Sequence, residues 1–122
     1  MRLATLRRTR HQPALPGLHG TARVSRLAGH LARRARPGEI AVIDHLDLDR
    51  VSAEALVACQ PSVVLNAARS TSGRYPNLGP EILIAAGIPL IDDLGADVMA
   101  VTEGHRLRVA DAAVYDGETL VA

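Results

Sequence analysis

Short apolar runs, each bounded by turn residues, dominate the middle of the chain. EIAVID (39–44), SVVLNA (62–67) and IPLID (88–92) are continuously apolar, as strands buried on both faces are. Two segments with a helical pattern separate these strands: SAEALVACQ (52–60), and PEILIAAG, in which the predicted helix covers 81–86. This alternation of strands and helices predicts an α/β domain with a mainly parallel sheet and short helices.

The segment before this region predicts one more strand and one more helix. GTARV (20–24) is a strand candidate, and SRLAGHLARRAR (25–36) follows it as a helix with Ser25 as its N-cap. Its apolar stripe at four-residue spacing comprises Leu27, Leu31 and Ala35. Pro37 and Gly38 are expected to end the helix.

The last thirty residues have the pattern of short strands. After a short helix within DLGADVMAVTEG (93–104), the runs HRLRV (105–109), AAVY (112–115) and ETLVA (118–122) are strand-like. The Asp116-Gly117 pair between the last two runs is a strong hairpin signal. We therefore predict that the domain ends in a β-hairpin.

Positive charge is concentrated at the beginning of the chain. Residues 1–36 contain nine of the 14 arginines and no acidic residue, whereas residues 37–122 contain all 13 acids. Residues 1–16 predict a basic flexible arm before a domain over 17–122. The asymmetry fits an acidic partner, nucleic acid, an anionic membrane or a solvated arm. Because the arm has no aromatic residues for base stacking, nucleic acid is not the expected partner of this Arg-rich segment.

Composition sets the remaining limits. Tyr75 and Tyr115 are the two aromatic residues, so the core is expected to be aliphatic. Cys59 is the single cysteine, which excludes an internal disulfide and a cysteine metal cluster and predicts a buried thiol. No apolar run reaches the ~20 residues of a membrane span, and the basic start lacks the apolar region of a secretory signal. These features predict a cytoplasmic protein.

The stretch NAARSTSGRYPNLGPE (66–81) is the densest in candidate binding chemistry. Its hydroxyls, two guanidinium groups and glycine backbone could hold an anion or meet a partner, or the loop could hold only its own turns. Pro80 and Glu81 weaken an anion site at the following helix. The candidate binding residues are Arg69, Ser70, Ser72, Gly73, Arg74, Tyr75 and Asn77.

No motif in the chain predicts catalysis. The dinucleotide, P-loop and nucleophile-elbow patterns are absent, and no base adjoins the serines of the 66–81 loop. DHLDLD (44–49) with His45 could bind a divalent cation, or Asp49 could cap a helix while Leu46 and Leu48 face the core. We therefore predict no enzyme activity, no metal site and no cofactor.

Two resemblances give this pattern a family context. PGEIAVIDHLDLDRVSAEALVACQPSVVLNA, ILIAAGIPLID and GHRLRVADAAVYDGE resemble the swivelling phosphohistidine domain of phosphoenolpyruvate-utilising enzymes. This resemblance implies a swivelling β/β/α-type fold. In that family a loop histidine accepts the phosphoryl group, but SGRYPNLGP has none, and Asn77 falls near its place. We therefore expect no phosphoryl transfer.

The second resemblance is more specific. SGRYPNLGPEIL, PGEIAVIDHLDLDRVSAEALV and GIPLIDDLGADV resemble the N-terminal domain of SteA-like cytokinetic-ring (septation) proteins of actinobacteria, over roughly residues 16–122. Members continue into a region similar to thiamin pyrophosphokinase and a hydrophobic segment. Neither has a counterpart in these residues, so no kinase residues are carried over.

The second resemblance implies a function in cell division. We expect a non-catalytic regulatory or interaction domain of a septation protein, with a protein partner in the division machinery that is membrane-bound in the family. Recruitment to the membrane at the division site would then depend on that partner or on the family's C-terminal regions. The alternative is a phosphate- or nucleotide-binding domain serving a pyrophosphokinase-like module. The resemblance is also compatible with self-association of the chain into an oligomer.

Overall fold

The computed structural model describes residues 2–3, 17–73 and 78–122, which form a mixed α/β structure. The strands are β1 (Arg2–Leu3), β2 (Leu18–Val24), β3 (Ile40–Ile43), β4 (Val63–Asn66), β5 (Leu90–Asp92), β6 (Arg106–Ala110), β7 (Ala113–Asp116) and β8 (Thr119–Leu120). The helices are α1 (Ala28–Ala32), α2 (Arg50–Cys59) and α3 (Gly79–Ala85), with a 3₁₀ helix over Ala96–Ala100. None of the described helices is long and apolar enough to cross a membrane.

The strands form one sheet in the order β1-β5-β4-β3-β2-β6-β7-β8. Its parallel pairing lies between β2 and β5, whereas the pairs β1–β5, β2–β6, β6–β7 and β7–β8 are antiparallel. The change of direction occurs at β2, whose residues 22–24 pair with β3 and whose residues 18–21 pair with β6. The sheet is therefore mixed. Helices connect the successive strands of its parallel half, and the other half is antiparallel.

The parallel strands are buried on both faces, as their apolar runs predicted. All four residues of β3 and of β4 are buried. Because successive side chains point to opposite faces, Ala41 and Ile43 pack with the three helices while Ile40 and Val42 pack with β6, β7 and the 3₁₀ helix. Helices thus cover one face of the parallel half, and the antiparallel half covers the other.

Helices α2 and α3 lie where the sequence predicted them, with shifted starts. The carboxylate of Asp49 accepts a hydrogen bond from the Ser52 amide and caps α2, which begins at Arg50 and ends at a left-handed Gln60 (φ 52°). Helix α3 has Pro80 in its first turn, and Gly87 follows its end at φ 79°.

The prediction for α1 was wrong in its length, in its N-cap and in one stripe residue, whereas Leu31 and Ala35 do pack against the core. The helix covers five residues rather than 25–36, and the Ser25 hydroxyl accepts a 3.3 Å hydrogen bond from the Leu27 amide without capping it. Leu27 is 55% exposed, and Ala28 takes its place in the core beside Leu31. Gly29 is the second residue of this short helix, and glycine lowers the intrinsic stability of a helix.

Both ends of the chain contribute antiparallel strands. The predicted hairpin is confirmed: β7 and β8 pair across the Asp116-Gly117 turn, with Gly117 at φ 66°. At the other end, Arg2 and Leu3 pair with Asp92 and Ile91 of β5. Residues 4–16 lie outside the described residues, so the flexible arm stays a prediction.

An ion-pair network, comprising Arg23, Arg34, Glu39 and Glu103, ties the helical layer to the sheet. Arg23 makes two 3.0 Å hydrogen bonds to Glu39, and Arg34 binds both oxygens of Glu103 at 2.7 and 3.1 Å. Glu103 also accepts the Val24 amide at 2.9 Å. The hydrogen bonds from Arg34 lower the pKa of Glu103 to about 2. The carboxylate is therefore held ionised in the folded protein.

Candidate functional site

The candidate site lies at the carboxyl ends of the parallel strands, where α/β sheets commonly bind ligands. Three loops follow β3, β4 and β5 there and are joined by backbone hydrogen bonds. The Asp47 amide donates to the Arg69 carbonyl (2.9 Å) and the Gly95 amide donates to the Ala67 carbonyl (3.0 Å). The loop that the sequence singled out is thus the middle one of three.

Asn66, the last residue of β4, holds these loops together from inside. Its side chain is fully buried. The amide oxygen accepts hydrogen bonds from the backbone amides of His45 (2.9 Å) and Ala68 (3.1 Å), and the amide nitrogen donates to the His45 carbonyl (3.0 Å) and the Ser70 hydroxyl (2.8 Å). All four hydrogen-bonding positions of this side chain are therefore used within the fold.

Ser70 was predicted as a binding residue, and the structure places it inside the protein. It is 1% exposed. Its hydroxyl donates to Asp92 at 2.7 Å, and its backbone amide lies 2.9 and 3.0 Å from the two Asp92 carboxylate oxygens. The carboxylate at the end of β5 therefore occupies the Ser70 hydroxyl, which the sequence assigned to an external anion.

Ser72 makes an equivalent contact with the loop after β3. Its amide and hydroxyl donate to the two carboxylate oxygens of Asp47 at 2.7 and 2.9 Å. Asp47 adopts a left-handed conformation (φ 55°), which is uncommon for residues other than glycine. The segment 70–72 is thus latched on one side by Asp92 and on the other by Asp47, and we call this arrangement the aspartate latch.

The other predicted site residues fall into two groups. Arg69 and Gly73 are exposed at the two ends of the latched segment, and Gly73 has φ 85°. Arg74, Tyr75 and Asn77 lie outside the described residues, so their roles stay predictions. Sequence reasoning missed the two aspartates that hold the loop. The available signal was that Asp92 ends the buried strand β5 and that Asp47 lies in the loop that follows the buried strand β3.

The DHLDLD segment disperses its carboxylates. Asp44 lies 3.8 Å from Arg26, Asp47 binds Ser72, and Asp49 caps α2. Within ranges 2–3, 17–73 and 78–122, no three His, Cys, Asp or Glu side chains form a group that could hold a metal ion. Of the two leucines expected in the core, Leu48 is fully buried but Leu46 is 56% exposed, so that expectation was half wrong.

His45 is part of the cap of α2. Its Nε2 lies 3.3 Å from Asp49 Oδ1 and 3.2 Å from the Ser52 hydroxyl, and its Nδ1 lies 3.2 Å from the Leu46 carbonyl. The side-chain hydrogen bond from Ser52 is the main cause that lowers the pKa of Asp49. Serine and aspartate meet the same ring nitrogen, so the three groups do not form the relay of a hydrolase triad.

Cys59 is buried, as predicted, at the end of α2. Its thiol donates to the Leu56 carbonyl at 3.2 Å, and burial raises its pKa. It lines a depression of about 390 Å³ between α1 and α2 whose other walls are mostly small residues. A protonated, hydrogen-bonded thiol of this kind has a structural role.

Exposed apolar side chains border the latched loop. Leu46, Val51 and Leu78 are all more than half exposed. The segments that carry them adjoin, because Gly79 packs so tightly on Leu48 that a Cβ there would overlap the Leu48 carbonyl. The hydrogen-bonded segment 70–72, with exposed Arg69 beside it, is therefore bordered by apolar surface, a composition typical of a protein interface.

Comparisons with known proteins do not add a family to this description. No protein-family model matches the sequence, and no curated protein is significantly similar to it. The site is therefore interpreted from its own geometry.

Proposed function

We propose that this chain is a non-catalytic interaction domain of a bacterial septation protein, similar to the N-terminal domain of SteA-like proteins. The observation that carries this proposal is the aspartate latch. Asp47 and Asp92 use the serine donors of the loop internally, and the loop is thereby fixed while Arg69, Leu46 and Leu78 remain exposed. Such preorganisation lowers the entropy lost when a partner binds.

The fold supports the same reading. Helices on one face of a parallel strand group and an antiparallel group on the other correspond to the layers of a swivelling β/β/α-type domain, which we propose as its fold type. Its partner is then a protein of the division machinery, membrane-bound in the family, which would recruit a cytoplasmic domain to the division site. Self-association through the same surface would be a further form of this interaction.

A phosphate- or nucleotide-binding role of the loop is the second candidate. Exposed Arg69 favours it, because a guanidinium fork suits phosphate oxygens. The engagement of Ser70 and Ser72 by carboxylates weighs against it, since an anion would have to displace Asp47 or Asp92. The interaction role needs no such rearrangement and is therefore preferred.

Localisation in dividing actinobacterial cells tests the proposal. The chain fused to a fluorescent protein is expected at midcell, and Leu46→Asp with Leu78→Asp should disperse it without lowering the melting midpoint, because both side chains are exposed.

Arg74→Ala tests the sequence-based prediction at a position outside the described residues. Val51→Asp is a weaker border change, and Ile84→Asp on α3 is the matched control. Diffuse wild-type fluorescence, or equal effects of all variants, would contradict the proposal.

A further inference from the structure

The outer side of the antiparallel half carries a row of basic, aromatic and aliphatic side chains. His19 lies opposite Arg108, Arg108 opposite Tyr115, and Tyr115 opposite Leu120, so the row crosses β2, β6, β7 and β8. Arg106 is exposed two residues before Arg108 and shares its side of β6. We call the surface formed by these five side chains the ribbon face.

The ribbon face points away from the core. The residues that alternate with it along β6 and β7, Leu107, Val109 and Val114, are buried in the cluster beneath the parallel strands. Side chains of the opposite parity must therefore lie on the outer side of the sheet. Tyr115 is half-buried on this outer side of the sheet. The chain has two tyrosines and no Phe or Trp, so one of its two aromatic rings lies outside the core.

The ribbon face carries two arginines, Arg106 and Arg108, and no acidic residue in register with them. None of its five residues is acidic. Asp116 alternates with Tyr115 and binds His105 at 2.8 Å on the other side. Farther along β2, Arg23 is neutralised by Glu39 and Glu103. Asp111 and Glu118 lie in the turns at the ends of β7.

Arg108 and Tyr115 form a cation–π stack within the row. The guanidinium carbon lies 4.2 Å from the centre of the tyrosine ring. This cation–π contact places the guanidinium group of Arg108 over the ring of Tyr115 at the surface of the sheet. Nucleic-acid bases stack on both kinds of plane, on aromatic rings and on arginine guanidinium groups.

We propose that the ribbon face binds single-stranded nucleic acid, with Arg106 contacting a phosphate and the Arg108–Tyr115 stack supporting a base. The row crosses three inter-strand steps, roughly 14 Å at about 4.8 Å per step. Stacked nucleotides advance about 3.4 Å along a strand, so the row is long enough for several. A short oligonucleotide fits this length better than a single nucleotide. The site is independent of the aspartate latch and of the function proposed for it.

Fluorescence anisotropy with a labelled 12-nucleotide oligo-dT, in 50 mM NaCl and with the full chain, tests the charge. Arg106→Glu is expected to weaken binding about tenfold or more and to reduce the salt dependence. The matched control is Arg33→Glu, an exposed arginine of the helical layer with no acidic partner among the ion pairs of the described residues. It should change affinity less than about twofold. Equal losses in both variants would overturn the proposal, because binding would then follow net charge alone.

Two substitutions at Tyr115 test the stack. Tyr115→Phe keeps the ring and should retain affinity within about twofold, whereas Tyr115→Leu keeps an apolar strand residue and should lose about fivefold or more. Melting midpoints of all variants are measured alongside, and Arg106→Glu decides the question if Tyr115→Leu does not fold. Equal affinity of the two Tyr115 variants would overturn the role of the stack. Thymidine monophosphate binding as tightly as the 12-mer, or a glutamate 12-mer competing equally, would overturn the ligand class.

Discussion

The ion-pair network and the aspartate latch both anchor a connection with carboxylates, but with different donors. In the network, Glu103 faces Arg34 at a partly exposed position, and Glu39 faces Arg23 at a more buried one. In the latch, Asp47 and Asp92 accept from neutral amides and hydroxyls, partly in the protein interior. Exposed ion pairs are screened by salt and water, whereas buried donors left without an acceptor are costly. The two regions should therefore respond to different perturbations.

The largest effect is expected at Asn66, which holds the latch from below. Asn66→Ala removes the partners of two backbone amides and a backbone carbonyl. We expect the free energy of unfolding to fall by about 3 kcal/mol, because buried polar groups lose their hydrogen bonds. Urea unfolding measures this loss. Ser62→Ala, whose hydroxyl makes only a 3.5 Å contact with the Glu39 carbonyl, is the control and should change stability by about 0.5 kcal/mol or less. A similar small change for Asn66→Ala would mean that the loops are held by other contacts.

An intermediate effect is expected at Asp47, where two causes can be separated. Asp47→Ala removes the acceptor for Ser72 and places alanine at a positive φ, and we expect a loss of about 2 kcal/mol. Asp47→Gly also removes the carboxylate but suits the left-handed backbone, so it should lose less. Hydrogen exchange of the Ser72 amide should accelerate in both variants. Unchanged exchange would show that this half of the latch does not form in solution.

The smallest effect is expected at Glu103, and it should depend on pH and salt. Its pKa in the folded protein is about 2, below the ordinary value of 4.5, so its contribution is full above pH 4.5 and is lost as the pH falls towards 2. Glu103→Gln should cost about 1 kcal/mol at neutral pH, because the side chain is 34% exposed and screened. Thermal melts at pH 7 and pH 2.5, each with and without 1 M NaCl, measure this.

The difference between Glu103→Gln and the wild-type protein should shrink at low pH and at high salt, while the effect of Asn66→Ala should persist in high salt. A Glu103→Gln penalty that is independent of both conditions would remove the distinction between the two regions. The ion-pair network and the aspartate latch would then be held by hydrogen bonds that respond to pH and salt in the same way.

The sequence predicted the strands better than the loops, for a physical reason. Burial on both faces leaves a continuous apolar run that is visible along the chain, and β3 and β4 were found in this way. Helix α1 was overestimated because polar and apolar spacing continues past the short segment that packs against the sheet. Local pattern says little about where packing stops.

The latch and the ribbon face could not be read from local pattern. Ser72 and Asp47 are 25 residues apart, and Ser70 and Asp92 are 22 apart, so only the parallel register brings them together. Arg108 and Tyr115 were recognised as strand residues, but their common side depends on the pairing of β6 with β7. The sequence offered the chemical groups in both cases, and the topology decided which of them meet.

The switch from parallel to antiparallel pairing at β2 has a consequence for the rate of folding. One end of this strand pairs with β3, which is close in sequence, and the other pairs with β6, so that Leu18 meets Val109 near the far end of the chain. Contacts between such distant segments require the closure of a long loop and slow the folding of small domains. Val42, Val63 and Leu65 lie on the face of the parallel strands that is turned away from the helices. Until β2 pairs with β6, this face is not covered by Leu107 and Val109. The interval in which this apolar face is open is the stage at which the folding chain is most exposed to aggregation.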